Sequence, residues 1–173
     1  PDPAPQHVLI VGGTGHLGLE FCDHFAHRGA RRITLVSRSG ETAAAAQRLQ
    51  QIRSATSTQI LVTRCDVGDQ AAVSQLAEDL HGAPPDLIVH AAVDYSAIEL
   101  ADITTEKVDR VMRAKVVGIW RVLTTCPRTE NCRVILCSSA RATIGGSGQI
   151  VYAAANRMLD AMAHRLRAQG LNC

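Results

Sequence analysis

The stretch VYAAANRMLDAM near the end of the sequence places Tyr152 at the start of a helical pattern and Asn156 four residues later. A phenol that donates protons in catalysis is commonly followed at this fourth position by a lysine. The lysine lies one helical turn away, and its ammonium lowers the pKa of the phenol. Asn156 carries no charge, so Tyr152 either does no chemistry or obtains its cation from another part of the chain.

A lysine in the long helical pattern TTEKVDRVMRAKVVGIWRVLTT is the candidate for that cation. Spacings of four, three, four and four place one set of residues on a single helix face: Val108, Met112, Lys115, Ile119 and Leu123. An unpaired charge on an apolar face is costly, although a lysine can also extend its amine to an edge. The sequence leaves both interpretations of Lys115 open.

Hydroxyl groups follow the apolar run that precedes Tyr152. The run CRVILCSS ends in Ser138 and Ser139, and Tyr152 comes 13 residues after Ser139. Open α/β folds bind their ligands at the carboxyl ends of the strands. We therefore expect the Tyr152 phenol, the Ser139 hydroxyl and the Lys115 ammonium to converge there.

A glycine-rich loop, VGGTGHLG, follows the first apolar run and opens a helical pattern. Its Gly-x-Gly-x-x-Gly spacing lets the diphosphate of a dinucleotide approach a helix N-terminus, where N–H groups and the helix dipole favour anions. An ordinary glycine-rich turn is the alternative. The candidate cofactor-binding residues of this loop are Gly12, Gly13, Thr14, Gly15, His16, Leu17 and Gly18.

Ser37 and Arg38 end the second apolar run, roughly 20 residues past the loop, where an NAD site usually carries an acid. An arginine would instead bind a 2′-phosphate, with Ser37 adding a hydrogen bond, which favours NADPH. A solvated surface arginine is the alternative. Asp66, after the third run, could bind the adenine amino group or serve as a turn or cap residue.

Apolar runs and helical patterns alternate along the chain, which predicts an α/β fold with a doubly wound parallel sheet. Asp69 and Glu106 stand at the starts of two helical patterns, where a cap and a negative charge are favoured. The five predicted strands lie in HVLIVGG, RITLVSR, QILVTRCD, PDLIVHAA and CRVILCSS.

Composition narrows the functional classes. A length of 173 residues suits one domain, and a net charge of +2 without a basic stripe gives no sign of a nucleic-acid partner. No apolar run reaches the ~18 residues of a membrane span. Six cysteines without C-x-x-C spacing favour buried reduced thiols and a cytoplasmic location. Cys22, His24 and His27 share a helical pattern but lack a fourth ligand, so no metal is expected.

The motifs GGTGHLG, LVSRSG, CDV, VHAA and SGQIVYAAANRMLDAMAHR occur in an order that resembles the ketoreductase domains of polyketide synthases. These domains are members of the short-chain dehydrogenase/reductase superfamily. The resemblance implies a Rossmann-like sheet of order 3-2-1-4-5 and NADPH as cofactor. It also implies reduction of a β-keto thioester on an acyl carrier protein to the β-hydroxy form, beside neighbouring synthase domains.

The same resemblance implies that lysine and asparagine exchange places in this family. Lys115, Ser139, Tyr152 and Asn156 are then the catalytic set, in which Asn156 orders a water and Lys115 serves Tyr152 from the neighbouring helix. The matching motifs also imply cofactor contacts at Asp66, Val67, Ala91 and Ala92.

The sequence departs from the family pattern around the predicted site. Val93 replaces a glycine, and Tyr95-Ser96-Ala97 and Ile144 replace the residues that mark the two stereochemical classes. Arg141-Ala142 replaces a small Ala-Gly pair, which would alter the pocket mouth. Gln149 fits the subtypes that do not epimerise. The configuration of the alcohol therefore stays unassigned.

We interpret residues 1–6 as a linker and residues 7–173 as the catalytic domain. Family members continue into further strands and a lid, so we expect a domain that is truncated at its C-terminus. Three alternatives stay open: a non-catalytic scaffold in a megasynthase, a stand-alone reductase of a small ketone, and a sugar-nucleotide epimerase. The epimerase would normally keep Tyr-x-x-x-Lys.

Overall fold

Five apolar segments form one parallel sheet in the computed structural model, which describes residues 3–173. The strands are β1 His7–Val11, β2 Arg32–Ser37, β3 Gln59–Arg64, β4 Leu87–His90 and β5 Arg133–Leu136. Their order across the sheet is 3-2-1-4-5, and every neighbouring pair is parallel. The predicted doubly wound arrangement is confirmed.

Helices connect these strands and cover both faces of the sheet. They are α1 His16–His27, α2 Ala43–Ala55, α3 Gln70–Leu80, α4 Thr105–Met112, α5 Gly118–Thr125, α6 Arg141–Ile144 and α7 Ile150–Ala168. A 3₁₀ turn covers Leu100–Asp102. The predicted cap is confirmed, because the Asp69 carboxylate accepts hydrogen bonds from the N–H groups of Ala71 and Ala72 at 2.8 and 3.3 Å.

The sequence predicted one continuous, regular fourth helix, and the prediction of regularity is wrong. A π-helical segment, Arg113–Val117, joins α4 to α5, and Lys115 lies at its centre. Such a segment inserts an extra residue into the helical path and rotates the faces on either side of it. Val111 and Val116 are buried, although neither belongs to the predicted apolar stripe.

A small apolar cluster connects this helical path to α7. It contains Ile98, Val111, Val116, Val151 and Ala155, all of which are buried. Two larger clusters cover the two faces of the sheet. The small cluster lies under the first turns of α7, so it fixes the position of the helix that carries Tyr152.

The two chain ends of the described region pair with the sheet. The Pro5 and Gln6 carbonyls accept from the N–H groups of Arg31 and Arg32 at 3.4 and 3.0 Å. Residues 1–2 of the predicted linker lie outside the described residues. Asn172 forms an isolated parallel bridge to β5.

The predicted strands QILVTRCD and CRVILCSS extended two and three residues too far, because β3 ends at Arg64 and β5 ends at Leu136. All six cysteines are free, and Cys22, Cys65, Cys126 and Cys132 are buried. Within residues 3–173, no three histidine, cysteine or acidic side chains are grouped so that they could hold a metal. No helix in the described part of the chain has the length and apolar character to cross a membrane.

Candidate active site

The glycine loop lies against the ends of β2 and β4. Gly12 has a φ of +80°, and a Cβ there would approach the Ala92 Cα to 2.6 Å. A Cβ at Gly13 would lie 2.6 Å from the Leu35 Cβ. Side chains at either position would push the loop off the sheet, so these glycines permit the close approach that a dinucleotide loop requires.

The loop presents the N-terminus of α1 as an anion site. Gly15 is the N-cap, and no side chain there occupies the first N–H groups of the helix. Those groups, on His16, Leu17 and Gly18, have no partner within an α-helix and carry its positive dipole end. This arrangement suits a diphosphate.

Ser37 is oriented so that it can donate to an anion. Its oxygen accepts a hydrogen bond from the Thr14 hydroxyl at 2.7 Å and a weaker one from the Ser39 N–H at 3.3 Å. Because a hydroxyl group has one proton, that of Ser37 stays available for a third partner. Arg38, the next residue, is exposed.

A cavity of about 700 Å³ opens beside the loop at the carboxyl ends of the strands. Its walls include the predicted cofactor residues Ser37, Arg38, Asp66, Val67, Ala91 and Ala92. Asp66 also makes a turn, since its Oδ1 accepts from the Gly68 N–H at 2.9 Å. Asp66 therefore fits both roles that its position in the sequence allowed.

Lys115 is buried, with 3% of its surface exposed, and does not extend to an edge. Its amine donates to the Cys137 carbonyl at 2.5 Å, directly after β5 and next to Ser138. Burial lowers the pKa of Lys115 below its ordinary value. The chain thus places an ammonium at the strand end that carries the two serines.

A histidine that the sequence reasoning missed supports this lysine. His90, the last residue of β4, is fully buried, and its Nε2 lies 2.9 Å from the Lys115 carbonyl oxygen. Burial lowers the pKa of His90 to about 4, so the imidazole is neutral near pH 7. A polar side chain in an otherwise apolar strand was the available signal, because buried polar groups require partners.

His90 should make the protein less stable in acid. The unfolded chain binds a proton near the ordinary pKa of 6.5, and the folded chain binds it only near 4. The free energy of unfolding therefore falls as the pH drops from 6.5 towards 4, by ~2–3 kcal/mol from this residue. Urea denaturation at about pH 7.5 and pH 4.5 should show a smaller acid loss in His90→Gln than in the wild type. Equal losses would contradict the assignment.

Tyr152 lies in the first turn of α7 and is half-buried. Its ring packs edge-on against Tyr95, with ring centroids 5.2 Å apart. The Gln149 amide donates to the Tyr95 hydroxyl at 2.6 Å, which holds this second ring in place. Tyr95 therefore packs directly beside Tyr152, a contact that the position of Tyr95 in the sequence did not reveal.

The remaining two candidates lie on either side of Tyr152 in the sequence. The Ser139 oxygen accepts from the Arg141 N–H at 3.2 Å, so the Ser139 proton is available to a substrate oxygen. Asn156 is fully buried, and its amide donates to the Tyr152 backbone carbonyl at 2.8 Å. Its Oδ1 is buried without a hydrogen-bond partner among residues 3–173. Asn156 therefore has an acceptor to offer to another group.

Comparison with known proteins places this chain in a family. Residues 7–173 match the family model described as the KR domain. The chain is 37% identical over 167 residues to a naringenin synthase from Pestalotiopsis fici, covering 95% of this chain and 6% of the relative. It is 38% identical over 168 residues to a pikromycin polyketide synthase component from Streptomyces venezuelae, covering 95% and 4%.

A solved structure gives the same result. The ketoreductase from the first module of phoslactomycin biosynthesis in a Streptomyces species superposes with a TM-score of 0.88 at 37% identity. The match covers 99% of this chain and 42% of that structure, so the chain spans less than half of the ketoreductase that it resembles. The chain belongs to the KR domain family, the ketoreductase domains of polyketide synthases within the short-chain dehydrogenase/reductase superfamily.

Proposed function

We propose that this chain is the catalytic part of an NADPH-dependent ketoreductase that reduces a β-keto thioester to the β-hydroxy form. The observation that carries the proposal is the buried Lys115 amine, which donates to the Cys137 carbonyl directly before the two serines. Tyr152 lies in the first turn of the helix that follows them. Burial of an ammonium costs free energy, and such buried charges at the ligand-binding ends of strands are concentrated at functional sites.

The residues of the cavity fit NADPH. The α1 N-terminus and the open Gly15 would hold the diphosphate, and Ser37 and Arg38 would hold the 2′-phosphate. Asp66, Val67, Ala91 and Ala92 would line the adenosine side. When bound, the cofactor supplies the hydride that adds to the ketone carbon.

The protein's own side chains handle the oxygen and the proton. Tyr152 would donate its phenolic proton to the ketone oxygen as negative charge develops there. Ser139 would donate a hydrogen bond to the same oxygen, for which its proton is available. Lys115 would supply the positive charge on the Tyr152 side of the site and hold the nicotinamide ribose. The buried Asn156 Oδ1 would order the water that resupplies the proton.

The proposed substrate is an acyl chain attached as a thioester to the phosphopantetheine of an acyl carrier protein. This proposal rests on the relatives, which include polyketide synthases many times longer than this chain. Neighbouring synthase domains would then be its partners. The relatives support the substrate class.

The proposal is tested with the polypeptide that carries this domain, NADPH and a β-ketoacyl thioester on an acyl carrier protein. NADPH should be consumed, and the product should be heavier by the mass of two hydrogen atoms. A higher kcat/KM on the carrier-bound substrate than on a free small ketone would exclude the stand-alone reductase. NADPH binding without turnover would identify a non-catalytic scaffold and contradict the proposal.

Arg38→Ala should reduce the preference for NADPH over NADH. Loss of a guanidinium–phosphate contact costs ~2–3 kcal/mol, which corresponds to roughly 30- to 150-fold in affinity. NADH lacks the phosphate, so its dissociation constant should change little. Titration of both cofactors measures the effect, with Arg31→Ala at the other end of β2 as control. An unchanged NADPH/NADH ratio in Arg38→Ala would refute this assignment.

A further inference from the structure

We propose that His90 is a positioning residue for Lys115: its imidazole holds the Lys115 carbonyl and so keeps the Lys115 amine at the end of β5. The proposal rests on the proposed function, in which that amine serves Tyr152 and the cofactor. His90 itself touches neither, since its contact is with the backbone of Lys115.

Three hydrogen bonds connect His90, Lys115 and Cys137 in a closed cycle. The His90 Nε2 lies 2.9 Å from the Lys115 carbonyl oxygen. The Lys115 amine donates to the Cys137 carbonyl at 2.5 Å. The Cys137 N–H donates to the His90 carbonyl at 3.0 Å. Lys115 is therefore held at both its backbone and its amine, by the ends of two neighbouring strands.

The hydrogen bond to the Lys115 carbonyl fixes the tautomer of His90. A carbonyl oxygen can only accept, so Nε2 carries the proton in this bond and Nδ1 is bare in the neutral imidazole. Nδ1 is buried without a partner among residues 3–173. A doubly protonated ring would place a second positive charge next to the buried Lys115 ammonium. The cycle of hydrogen bonds therefore requires a neutral imidazole, which agrees with the lowered pKa of His90.

The contact between His90 and the Lys115 carbonyl falls inside the π-helical segment. Within this segment the Gly118 N–H bonds back to the Arg113 carbonyl, five residues earlier. This shift disturbs the regular ladder, and side chains commonly insert where a ladder is disturbed. Loss of the imidazole donor should let the segment relax towards a regular helix, which would rotate Lys115 away from Cys137.

A second buried histidine supplies a matched control. His7, the first residue of β1, is 4% exposed and also has a pKa lowered by burial. Its ring contacts the Ala83 carbonyl at 2.6 Å and the Thr34 hydroxyl at 2.8 Å. It lies at the amino end of the sheet, opposite the candidate site. His7→Leu therefore reports the loss of a buried, hydrogen-bonded histidine without any effect on Lys115.

The first measurement needs no activity. Lys107 and Lys115 are the two lysines of the sequence, so competitive acetylation followed by peptide mass spectrometry compares a buried amine with a reference on the same helical path. His90→Leu should raise the Lys115/Lys107 labelling ratio by about fivefold or more. His90→Gln, whose amide can reach the carbonyl, should restore most of the protection. His7→Leu should leave the ratio within about twofold of the wild type.

The second measurement uses turnover with NADPH and a β-ketoacyl thioester. His90→Leu should lower kcat by about tenfold or more, raise the KM for NADPH, and move the alkaline limb of the kcat profile to higher pH. The limb moves because a phenol without a nearby ammonium has a higher pKa. His90→Gln should recover most of kcat. At temperatures at which the His7→Leu protein is folded, its kcat should depend on pH as in the wild type.

Equal labelling ratios and equal pH profiles in His90→Leu and His7→Leu would overturn the proposal. A His90→Gln protein with the same Lys115/Lys107 labelling ratio and the same kcat as His90→Leu would also overturn it. If His90→Leu does not fold, His90→Asn replaces it, because its shorter amide cannot reach the carbonyl. A wild-type protein that protects Lys115 but reduces no ketone would refute the proposed function and leave the positioning role supported.

Discussion

Tyr152→Phe should lower kcat for β-ketoacyl thioester reduction by at least ~10²–10⁴-fold, because it removes the proton donor in the transition state. The affinity for NADPH should stay within about twofold, since the ring and its edge-on contact with Tyr95 are kept. Steady-state kinetics and cofactor titration measure the two quantities separately.

The sequence offers a close control, because Tyr95 and Tyr152 are its two tyrosines. Tyr95→Phe keeps the ring contact and loses the hydrogen bond from Gln149, so it should cost less than about tenfold in kcat. A Tyr152→Phe protein that retains a tenth or more of the wild-type kcat would show that another group donates the proton.

Lys115→Met should be nearly as damaging, with a loss of ~10²-fold or more in kcat. Methionine fills much of the buried volume of lysine, so the loss reports the charge and not a cavity. The alkaline limb of the kcat profile should move to higher pH, and the KM for NADPH should rise if the amine binds the ribose. Kinetics across a range of pH values measure all three effects.

Lys107→Met provides the comparison for Lys115→Met. Lys107 lies on α4, and its amine donates to the Asp102 carbonyl at 2.8 Å, away from the serines. Loss of the Lys107 amine should leave kcat and its pH dependence close to those of the wild type. Asn156→Ala should be milder than Lys115→Met, since water can partly replace an amide that orders water. A Lys115→Met protein with an unchanged pH profile would show that the cation of Tyr152 comes from elsewhere.

The sheet could be predicted from the sequence because its strands are short apolar runs between helical patterns. A parallel strand that is covered on both faces carries nearly continuous aliphatic residues, as in His7–Val11 and Leu87–His90. The alternation of these runs with helices then leaves few possible topologies. The boundaries were less certain, since Cys65 and Cys137 look like strand residues and lie just outside the strands.

The helical path around Lys115 could be predicted only in part. A period of 3.6 residues placed Lys115, Ile119 and Leu123 on the buried face, and all three are buried. The same period cannot reveal a π-helical segment, because the inserted residue changes the spacing along the helical path. The depth of Lys115 and its bond to Cys137 therefore required the structure.

The contacts of His90 and Tyr95 depend on parts of the chain that are far apart in sequence. His90 meets Lys115 because β4 and the π-helical segment are neighbours in the fold. Tyr95 meets Tyr152 through the path of the loop after β4, which residue spacing does not determine. The bond from the Asn156 amide to the Tyr152 backbone is local, yet the buried Oδ1 of the same side chain becomes visible only in three dimensions.

The central claim is that this domain transfers hydride from NADPH to a β-keto carbon with Tyr152 as acid and Lys115 as its cation. The most direct measurement uses NADPH deuterated at the transferred position, a β-ketoacyl thioester on an acyl carrier protein, and mass spectrometry of the product. The account predicts one deuterium on the new carbinol carbon with the wild-type protein, and at least ~10²-fold slower formation of this product with Tyr152→Phe or Lys115→Met. A wild-type protein that forms no deuterated alcohol, or variants that form it at the wild-type rate, would contradict the account.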